Sequence, residues 1–271
     1  MINSSYNSRL DLYAEHVIRG DITTADGTVL AKTTVSDDGS ETREYPYGRM
    51  FAHVVGYTNN GKGGLESQYN FNLLRSHSFF LTQIINDLKN KKNIGDTLVT
   101  TLDYDVQETA YKALGDRDGA VVVMEVKTGK ILALVSKPDF DPNTLAQRWD
   151  DIVSDENSSV LLNRVTSGLY PPGSTFKIFT TLEYVHENSN YQDYSFDCEG
   201  ELNVDGNEIH CYHKAVHGKE TLKDSFANSC NTSFSNIGLS LDISGFRNLC
   251  EDMLFNKKLP GSLAGSKSSF T

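Results

Sequence analysis

The chain has 271 residues, of which 38% are hydrophobic and 23% charged, and its formal net charge is −11. This length fits one or two globular domains, and the apolar content is sufficient to build packed cores. The acidic balance and the lack of a basic cluster argue against nucleic acid as a partner and against binding to anionic lipid. No run of the sequence approaches the roughly 18 apolar residues of a membrane-spanning helix.

The N-terminal third of the chain has the pattern of a small mixed domain. Apolar and β-branched residues predict short strands at 28–33 and 51–57, and a glycine-rich turn follows at 61–64. Glu66 comes directly after two glycines and a leucine. We expect this carboxylate to make a structural hydrogen bond within the domain rather than to act in acid–base chemistry.

The end of this region is marked by a change in composition. Apolar residues at helical spacing predict a helix at 79–88, and the charged, asparagine-containing segment 89–93 is interpreted as a connector. The predicted domains are therefore 1–94 and 95–271.

From residue 95 onward, the sequence predicts strands and helices that are mixed along the chain. A strand and a helix are followed by an antiparallel hairpin with strands at 120–126 and 130–135, joined through a turn at Lys127-Thr128-Gly129. A second hairpin is predicted around Asp205-Gly206-Asn207. This order of elements is typical of an α+β domain in which a sheet is flanked by helices.

A serine and a lysine stand at the start of the most apolar helical segment. The segment Pro171-Pro172-Gly173 ends the preceding structure, and apolar residues then recur on more than one face of a predicted buried helix: Phe176, Ile178, Phe179, Leu182 and Val185. Lys177 lies one helical turn after Ser174, so the two side chains share a face. A neutral lysine amine can take the proton of a serine nucleophile, because burial lowers the pKa of lysine from about 10.4. For the tetrapeptide alone, a helix N-cap serine beside a solvated lysine is the commoner explanation.

A second polar element strengthens the catalytic interpretation. Ser229-Cys230-Asn231 lies between two predicted helices, at a corner from which a hydroxyl and an amide could reach the same cleft. Ser229 could pass a proton to a leaving amine, and Asn231 could hold a substrate amide. The tripeptide pattern is weak by itself, since Ser5-Tyr6-Asn7 matches it in a polar stretch without catalytic context.

The order and spacing of these elements resemble the penicillin-binding proteins, whose SxxK, SDN and KTG elements define a serine active site. Further segments resemble those of class B enzymes in the family's order: 19–31, 45–57, 63–66, 95–107 and 119–143. The best fit is the stand-alone class B type with a small N-terminal pedestal. The implied fold is α+β, with a pedestal, or dimerisation-like, domain at 1–94. A penicillin-binding transpeptidase domain similar to the serine β-lactamases follows at 95–271.

This resemblance implies a reaction, partners and a location. A D,D-transpeptidase of this kind cross-links D-Ala-D-Ala stem peptides through an acyl-enzyme on Ser174, with Lys177 and Ser229 moving protons and Asn231 orienting the substrate. β-Lactams would acylate the same serine, and no metal or organic cofactor is needed. The implied partners are peptidoglycan stem peptides, β-lactam antibiotics and a membrane-embedded glycosyltransferase. The implied location is the cell membrane, single-pass, with the catalytic domain on the extracytoplasmic side and the anchor outside the residues given.

One element of the family has no match at the expected place. Lys127-Thr128-Gly129 spells the KTG motif, but it precedes Ser174 and lies in a hairpin turn, whereas the resemblance implies a later strand. We therefore expect the C-terminal KTG part to be absent from these residues and acylation to be impaired, because one lost oxyanion donor costs about 10²–10³ in rate. A non-catalytic cell-wall scaffold or fragment and a β-lactam sensor remain as alternatives.

The four cysteines allow more than one interpretation. Cys198 and Cys211 flank the second predicted hairpin and could pair in an extracellular domain, or all four cysteines could be free thiols. A zinc site is the third possibility, but it is disfavoured because paired ligands two to four residues apart are missing. The groups considered for such a site are Cys198, His210, Cys211, His213 and His217.

Overall fold

The computed structural model describes residues 15–77, 91–261 and 263–270. Within it the chain divides into two compact units, residues 1–168 with 260–266 and residues 169–259 with 267–271. The predicted helix at 79–88 and the tripeptide Ser5-Tyr6-Asn7 lie outside the described residues. The predicted domain boundary at residue 94 stays a prediction.

Strands and α-helices alternate irregularly along both units. The strands are β1 Val17–Ile18, β2 Ile22–Thr23, β3 Val29–Val35, β4 Glu41–Glu44, β5 Asn93–Ile94, β6 Leu98–Val99, β7 Gly119–Met124, β8 Ile131–Lys137, β9 Ser195–Cys198, β10 Glu201–Val204, β11 Asn207–His210 and β12 Gly218–Thr221. The α-helices are α1 Ala52–Val55, α2 Gly64–Gln68, α3 Asn70–Leu73, α4 Tyr104–Leu114, α5 Trp149–Ser154, α6 Lys177–Glu187, α7 Leu222–Ala227, α8 Asn231–Ser240 and α9 Ile243–Asp252. This mixture confirms the predicted α+β class.

A four-stranded sheet forms the centre of the first unit, in the order β4-β3-β2-β6. Strand β3 is antiparallel to both β2 and β4, and β2 runs parallel to β6. The predicted strand at 28–33 is confirmed as β3. Buried apolar side chains of the sheet and of the helices that follow it form one core, which includes Ile22, Leu30, Phe51, Val54, Val55 and Leu73.

The predicted strand at 51–57 is wrong. A 3-10 helix at Gly48–Phe51 leads into α1, and all four residues of α1 are buried, so the apolar run has no alternation of buried and exposed side chains. Gly56 ends the helix with φ +90, and a Cβ at this position would lie 1.9 Å from the carbonyl oxygen of Gly63. Only glycine fits this close approach of two backbone segments.

Glu66 is fully buried and lies between two arginines of the first unit. Its Oε2 accepts a hydrogen bond from Arg19 Nε at 2.5 Å, and its Oε1 accepts one from Arg43 Nε at 2.7 Å. Arg19 also donates through Nη1 to Asn70 Oδ1 at 2.5 Å. The expected structural role of Glu66 is confirmed, and its carboxylate compensates part of the charge of the two buried guanidinium groups.

The predicted hairpin of the first unit is confirmed. Strands β7 and β8 pair antiparallel, and the turn between them contains Lys127-Thr128-Gly129. Helix α4 holds this hairpin through Gln107, whose side chain donates to Leu134 O at 2.9 Å and accepts from Leu134 N at 2.8 Å. This KTG sequence is therefore a turn in the structure, as its composition indicates.

The second unit contains α6, and the prediction of a buried helix is only half right. One face of α6 belongs to an aromatic cluster, in which Phe176 and Phe179 pack with Phe246, Phe255 and Phe270. The opposite face is exposed among the described residues, with Ile178 at 49% and Leu182 at 43% of full accessibility. Apolar periodicity predicts which residues share a face, but it does not establish that each apolar face is covered.

Two small antiparallel pairs complete the second unit. Strand β9 pairs with β12, and β10 pairs with β11. The turn between β10 and β11 places Asp205 at φ +49 and Gly206 at φ +83, which are the backbone angles of a type I′ hairpin turn. The second predicted hairpin is thus confirmed. In the part of the chain that the structure describes, no helix has both the length and the apolar character needed to cross a membrane.

Candidate active site

Ser174 lies on a short 3-10 helix, Gly173–Phe176, which continues directly into α6. Its side chain is exposed, whereas Lys177 at the start of α6 is partly buried. Phe176 anchors this segment, because its ring packs in the aromatic cluster 5.8 Å from the Phe246 ring. The apolar side chain thus fixes the helix start and leaves the serine hydroxyl accessible.

Lys177 points at the corner that follows helix α7. Its Nζ donates to three oxygen atoms: Ser229 O at 2.5 Å, Ser229 Oγ at 2.9 Å and Asn231 Oδ1 at 2.7 Å. The ammonium also lies 5.4 Å from the centre of the Phe234 ring, within the range of a cation–π contact. Lysine and the Ser229-Cys230-Asn231 corner therefore form one hydrogen-bonded group.

Ser229 connects the other two reactive side chains. Its Oγ lies 3.0 Å from Ser174 Oγ as well as 2.9 Å from Lys177 Nζ. The backbone of Ser229 has φ +52, an uncommon conformation for a residue other than glycine. Backbone N–H groups of Ser229 and Cys230 hold this conformation by donating to Phe226 O at 3.1 Å and Ser225 O at 2.9 Å.

Asn231 begins helix α8 and is held at both ends of its amide. The Oδ1 atom accepts from Lys177, and Nδ2 donates to His210 O of strand β11 at 2.9 Å. An amide nitrogen carries two hydrogens, so one donor of Nδ2 is left for another acceptor. The structure thus brings all four predicted site residues together in the second unit.

Burial lowers the pKa of Lys177 from its ordinary value of 10.5. The oxygen atoms that Nζ contacts belong to a carbonyl, a hydroxyl and an amide, which are neutral. Neutral partners compensate an ammonium charge less than a carboxylate does, so the neutral amine is easier to reach. A neutral amine connected to one serine hydroxyl through another can accept a proton from a nucleophile.

Comparison with protein families decides the affiliation of the chain. The family model described as "Penicillin binding protein transpeptidase domain" matches residues 119–271, more than half of the chain. This chain belongs to the penicillin-binding protein family. A second model, "Penicillin binding protein A dimerisation domain", matches residues 19–98, so the resemblance deduced from the sequence motifs is confirmed.

Curated relatives of this penicillin-binding protein include two mycobacterial enzymes. The peptidoglycan D,D-transpeptidase PbpA of Mycolicibacterium smegmatis is 34% identical over 85% of the chain and 50% of the relative. PbpA of Mycobacterium tuberculosis is 31% identical over 89% of the chain and 52% of the relative. The chain therefore spans about half the length of the curated relatives it matches.

Solved structures of penicillin-binding proteins share the fold. Penicillin-binding protein A of M. tuberculosis, as an imipenem acyl-enzyme complex, matches with a TM-score of 0.85 and 28% identity, over 96% of this chain and 64% of that one. The D,D-transpeptidase domain of a peptidoglycan glycosyltransferase from Eggerthella lenta matches with a TM-score of 0.81 and 31% identity. That match covers 94% of this chain and 58% of the Eggerthella chain.

The second unit contains a further polar cluster. Sequence reasoning considered zinc at Cys198, Cys211 and His217 and disfavoured it, and it did not include Cys230 among the ligands. Ligand atoms of Cys198, Cys211, His217 and Cys230 all lie within 4.8 Å of one another, whereas His210 and His213 are outside this group. The four cysteines are free thiols, so the Cys198–Cys211 disulfide is not formed. The four ligands of the cluster are widely spaced in the sequence. They come together only because both small strand pairs fold around the start of α8. The sequence signal that pointed to this cluster was the position of Cys198 and Cys211 on either side of the β10–β11 hairpin.

Proposed function

We propose that this protein is a peptidoglycan D,D-transpeptidase that cross-links D-Ala-D-Ala stem peptides and is acylated by β-lactams at Ser174. The observation that carries this proposal is the hydrogen-bonded series Ser174 Oγ, Ser229 Oγ and Lys177 Nζ, with separations of 3.0 and 2.9 Å. The names of the mycobacterial relatives and the imipenem acyl-enzyme of a structural neighbour support the same chemistry. The substrate and the drug class are assigned here by family membership.

The acylation step follows from these contacts. Ser174 Oγ attacks the carbonyl carbon of the penultimate D-alanine while its proton passes to Ser229 Oγ, and the Ser229 proton passes to neutral Lys177 Nζ. The backbone N–H of Ser174 at the helix start helps to stabilise the oxyanion. The tetrahedral intermediate then collapses with cleavage of the C–N bond. The proton returns from Lys177 through Ser229 to the departing D-alanine amine.

The second half-reaction uses the same groups in the reverse sense. An amine of a neighbouring stem peptide attacks the ester carbonyl of the acyl-enzyme and loses its proton toward Ser229 and Lys177. The Ser174–acyl bond breaks, Ser174 Oγ regains a proton, and the new amide cross-links two peptides. Asn231 orients the substrate amide through the free hydrogen of Nδ2 and positions Lys177 through Oδ1.

The remaining assignments belong to the same proposal. Residues 1–94 act as the pedestal, and 95–271 belong to the transpeptidase domain. The full protein works at the cell membrane with its catalytic part on the extracytoplasmic side, next to a membrane-embedded glycosyltransferase. This placement is supported by the cell-wall substrate named for the curated relatives.

The proposal is tested by intact-mass spectrometry after incubation with excess benzylpenicillin. We expect one drug adduct on the wild-type chain, none on Ser174→Ala, and acylation of Lys177→Ala slower by about 10²–10⁴-fold. Thr175→Ala is the matched control, because Thr175 is a neighbouring exposed hydroxyl whose Oγ1 donates only to Pro172 O at 2.6 Å. An adduct that persists in Ser174→Ala, or no adduct on wild-type protein with a folded circular-dichroism spectrum, would reject the assignment for this chain.

A further inference from the structure

Three buried thiols and one imidazole converge beside the active-site corner. The Cys211 Sγ atom lies 3.7 Å from Cys198 Sγ and 3.6 Å from Cys230 Sγ. His217 directs its Nδ1 atom at Cys198 Sγ from 3.3 Å. Cys198 and Cys230 are completely buried, and Cys211 is only 3% exposed. All four groups belong to the second unit.

These separations are those of ligands around one tetrahedral metal ion. With Zn–S bonds of about 2.3 Å and Zn–N bonds of about 2.0–2.1 Å, two thiolates of a tetrahedral site lie about 3.8 Å apart and a thiolate and an imidazole nitrogen about 3.6 Å apart. A disulfide would require a sulfur–sulfur distance of about 2.05 Å. The two distances from Cys211 Sγ to Cys198 Sγ and Cys230 Sγ match edges of such a tetrahedron, and all four ligand atoms lie within 4.8 Å of one another.

We propose that Cys198, Cys211, His217 and Cys230 bind one Zn²⁺ ion as a structural Cys₃His site. Thiolate and imidazole ligands favour Zn²⁺ over Mg²⁺ or Ca²⁺, which prefer oxygen. Four protein ligands complete the tetrahedron and leave no position for a substrate or a water molecule, which is the pattern of a structural rather than a catalytic zinc ion.

Hydrogen-bond donors are directed at two of the three sulfur atoms. Thr232, a fully buried residue, directs its hydroxyl to Cys198 Sγ at 3.2 Å, and the backbone N–H of Ser233 donates to Cys230 Sγ at 3.4 Å. Hydrogen bonds of this kind orient metal ligands and stabilise their negative charge. Such donors would be of little use to cysteines that merely fill an apolar core.

Cys250 shows what a cysteine with a packing role looks like in the same unit. It is as deeply buried as Cys198, but it belongs to an apolar cluster with Leu241 and Phe246. The core around Cys198, Cys211 and Cys230 contains these three sulfur atoms and, at its margin, the Phe196 ring. Burial alone therefore does not explain why the other three thiols converge.

The proposed ion would join segments that are far apart in the sequence. Cys198 ends β9, Cys211 follows β11, and His217 immediately precedes β12. Cys230 is the N-cap residue of α8 and stands between Ser229 and Asn231. The metal would then hold in place the corner that carries the side chains of Ser229 and Asn231. This positioning role rests on the proposed transpeptidase function, whereas metal binding itself does not.

The zinc proposal is tested first on metal content. We expect the wild-type chain, purified without chelators from a zinc-containing medium, to contain about one zinc per molecule by elemental mass spectrometry. X-ray absorption should give three sulfur ligands and one nitrogen ligand. Cys198→Ser and His217→Ala should lose most of this zinc, and Cys250→Ser should keep it. Absence of zinc from the folded wild-type chain would overturn the proposal, as would a protein mass lower by the two hydrogens of a disulfide.

If a variant does not fold, the zinc content and X-ray absorption of the wild-type chain still decide the proposal. Exchange of the metal for cobalt gives a second measurement of the site. Co²⁺ exchanged into the wild-type chain should show the visible bands of a tetrahedral site and thiolate-to-metal charge transfer, and Cys250→Ser should show both. The test is independent of catalysis. A zinc-containing protein without a benzylpenicillin adduct would reject the proposed function alone, and an acylated protein without zinc would reject the metal site alone.

Discussion

Glu66 in the first unit and Lys177 in the second are both ionisable side chains drawn into the protein, but their partners differ in kind. Glu66 is fully buried and bound by the guanidinium groups of Arg19 and Arg43. Lys177 is partly buried and donates to neutral oxygen atoms of Ser229 and Asn231. Glu66 is thus held by groups of opposite charge, whereas the neutral acceptors around Lys177 leave its amine free to lose its proton.

This difference separates a structural charge from a chemically usable one. The ion pairs of Glu66 with Arg19 and Arg43 serve to hold the β3–β4 region against α2. Burial lowers the pKa of Lys177, and the three oxygen atoms that accept hydrogen bonds from its Nζ are neutral. A general base needs this freedom, because only the neutral amine accepts a proton.

The largest expected effect is on stability, in the cluster around Glu66. Glu66→Gln removes the negative charge and leaves Arg19 and Arg43 buried without compensation, which should cost about 3–5 kcal/mol in the free energy of unfolding. Urea denaturation measures this loss. Glu44→Gln is the matched control, because its carboxylate is 42% exposed and pairs with Lys32 at 3.4 Å, so its loss of stability should be far smaller than that of Glu66→Gln. Equal losses in the two variants would contradict the structural role assigned to the buried cluster.

The second prediction gives Lys177 the kind of partner that Glu66 has. Because the folded-state pKa of Lys177 is lowered, the acylation rate should rise with pH and level off above that pKa, below the ordinary lysine value. Asn231→Asp places a carboxylate beside Nζ, which raises the pKa of Lys177 and moves this rise in rate to higher pH. At neutral pH the neutral fraction, and with it the acylation rate, should fall about 10–10³-fold.

The pH profile separates this electrostatic effect from simple damage to the site. Asn236→Asp on the same helix is the matched control, since Asn236 is bonded to Tyr194 rather than to Lys177, and its profile should match the wild type. Asn231→Asp should recover part of its acylation rate at high pH, where Lys177 becomes neutral again. A rate that falls equally at every pH would show that Asn231 does not act through the charge of Lys177.

Sequence reasoning succeeded where the signal is local and failed where it depends on distant segments. Ser174 and Lys177 stand one helical turn apart at a helix start, so their shared face follows from helix geometry alone. Convergence of Cys230 with Cys198 depends on pairing of β9 with β12 and on the position of α8, which no local pattern encodes. The motif order nevertheless predicted that Ser229 and Asn231 would lie near Lys177, because family resemblance carries long-range information that periodicity lacks.

The two errors in the fold have different physical causes. Residues 51–57 are rich in β-branched and aromatic side chains, which favour strands, but 51–56 are buried without interruption, and a short buried run of this kind fits a helix as well as a strand. Packing in the first unit therefore outweighs the weak intrinsic preference of these side chains for a strand. In α6 the apolar pattern correctly predicted a helix. It could not predict that the face with Ile178 and Leu182 is exposed, because periodicity does not show what packs against a face.

The smallest expected effect concerns the capping of helix α7, which leads into the Ser229 corner. Thr221 Oγ1 accepts from Asp224 N at 3.3 Å, and Asp224 Oδ2 accepts from Thr221 N at 3.1 Å, which forms a capping box. Thr221→Ala should lower the free energy of unfolding by about 1 kcal/mol, and Thr221→Ser should restore most of it. Hydrogen exchange should become faster at the amides of α7 and at Ser229 and unchanged around Glu66. A loss as large as that of Glu66→Gln would mean that the corner depends on its local cap as strongly as the first unit depends on its buried ions.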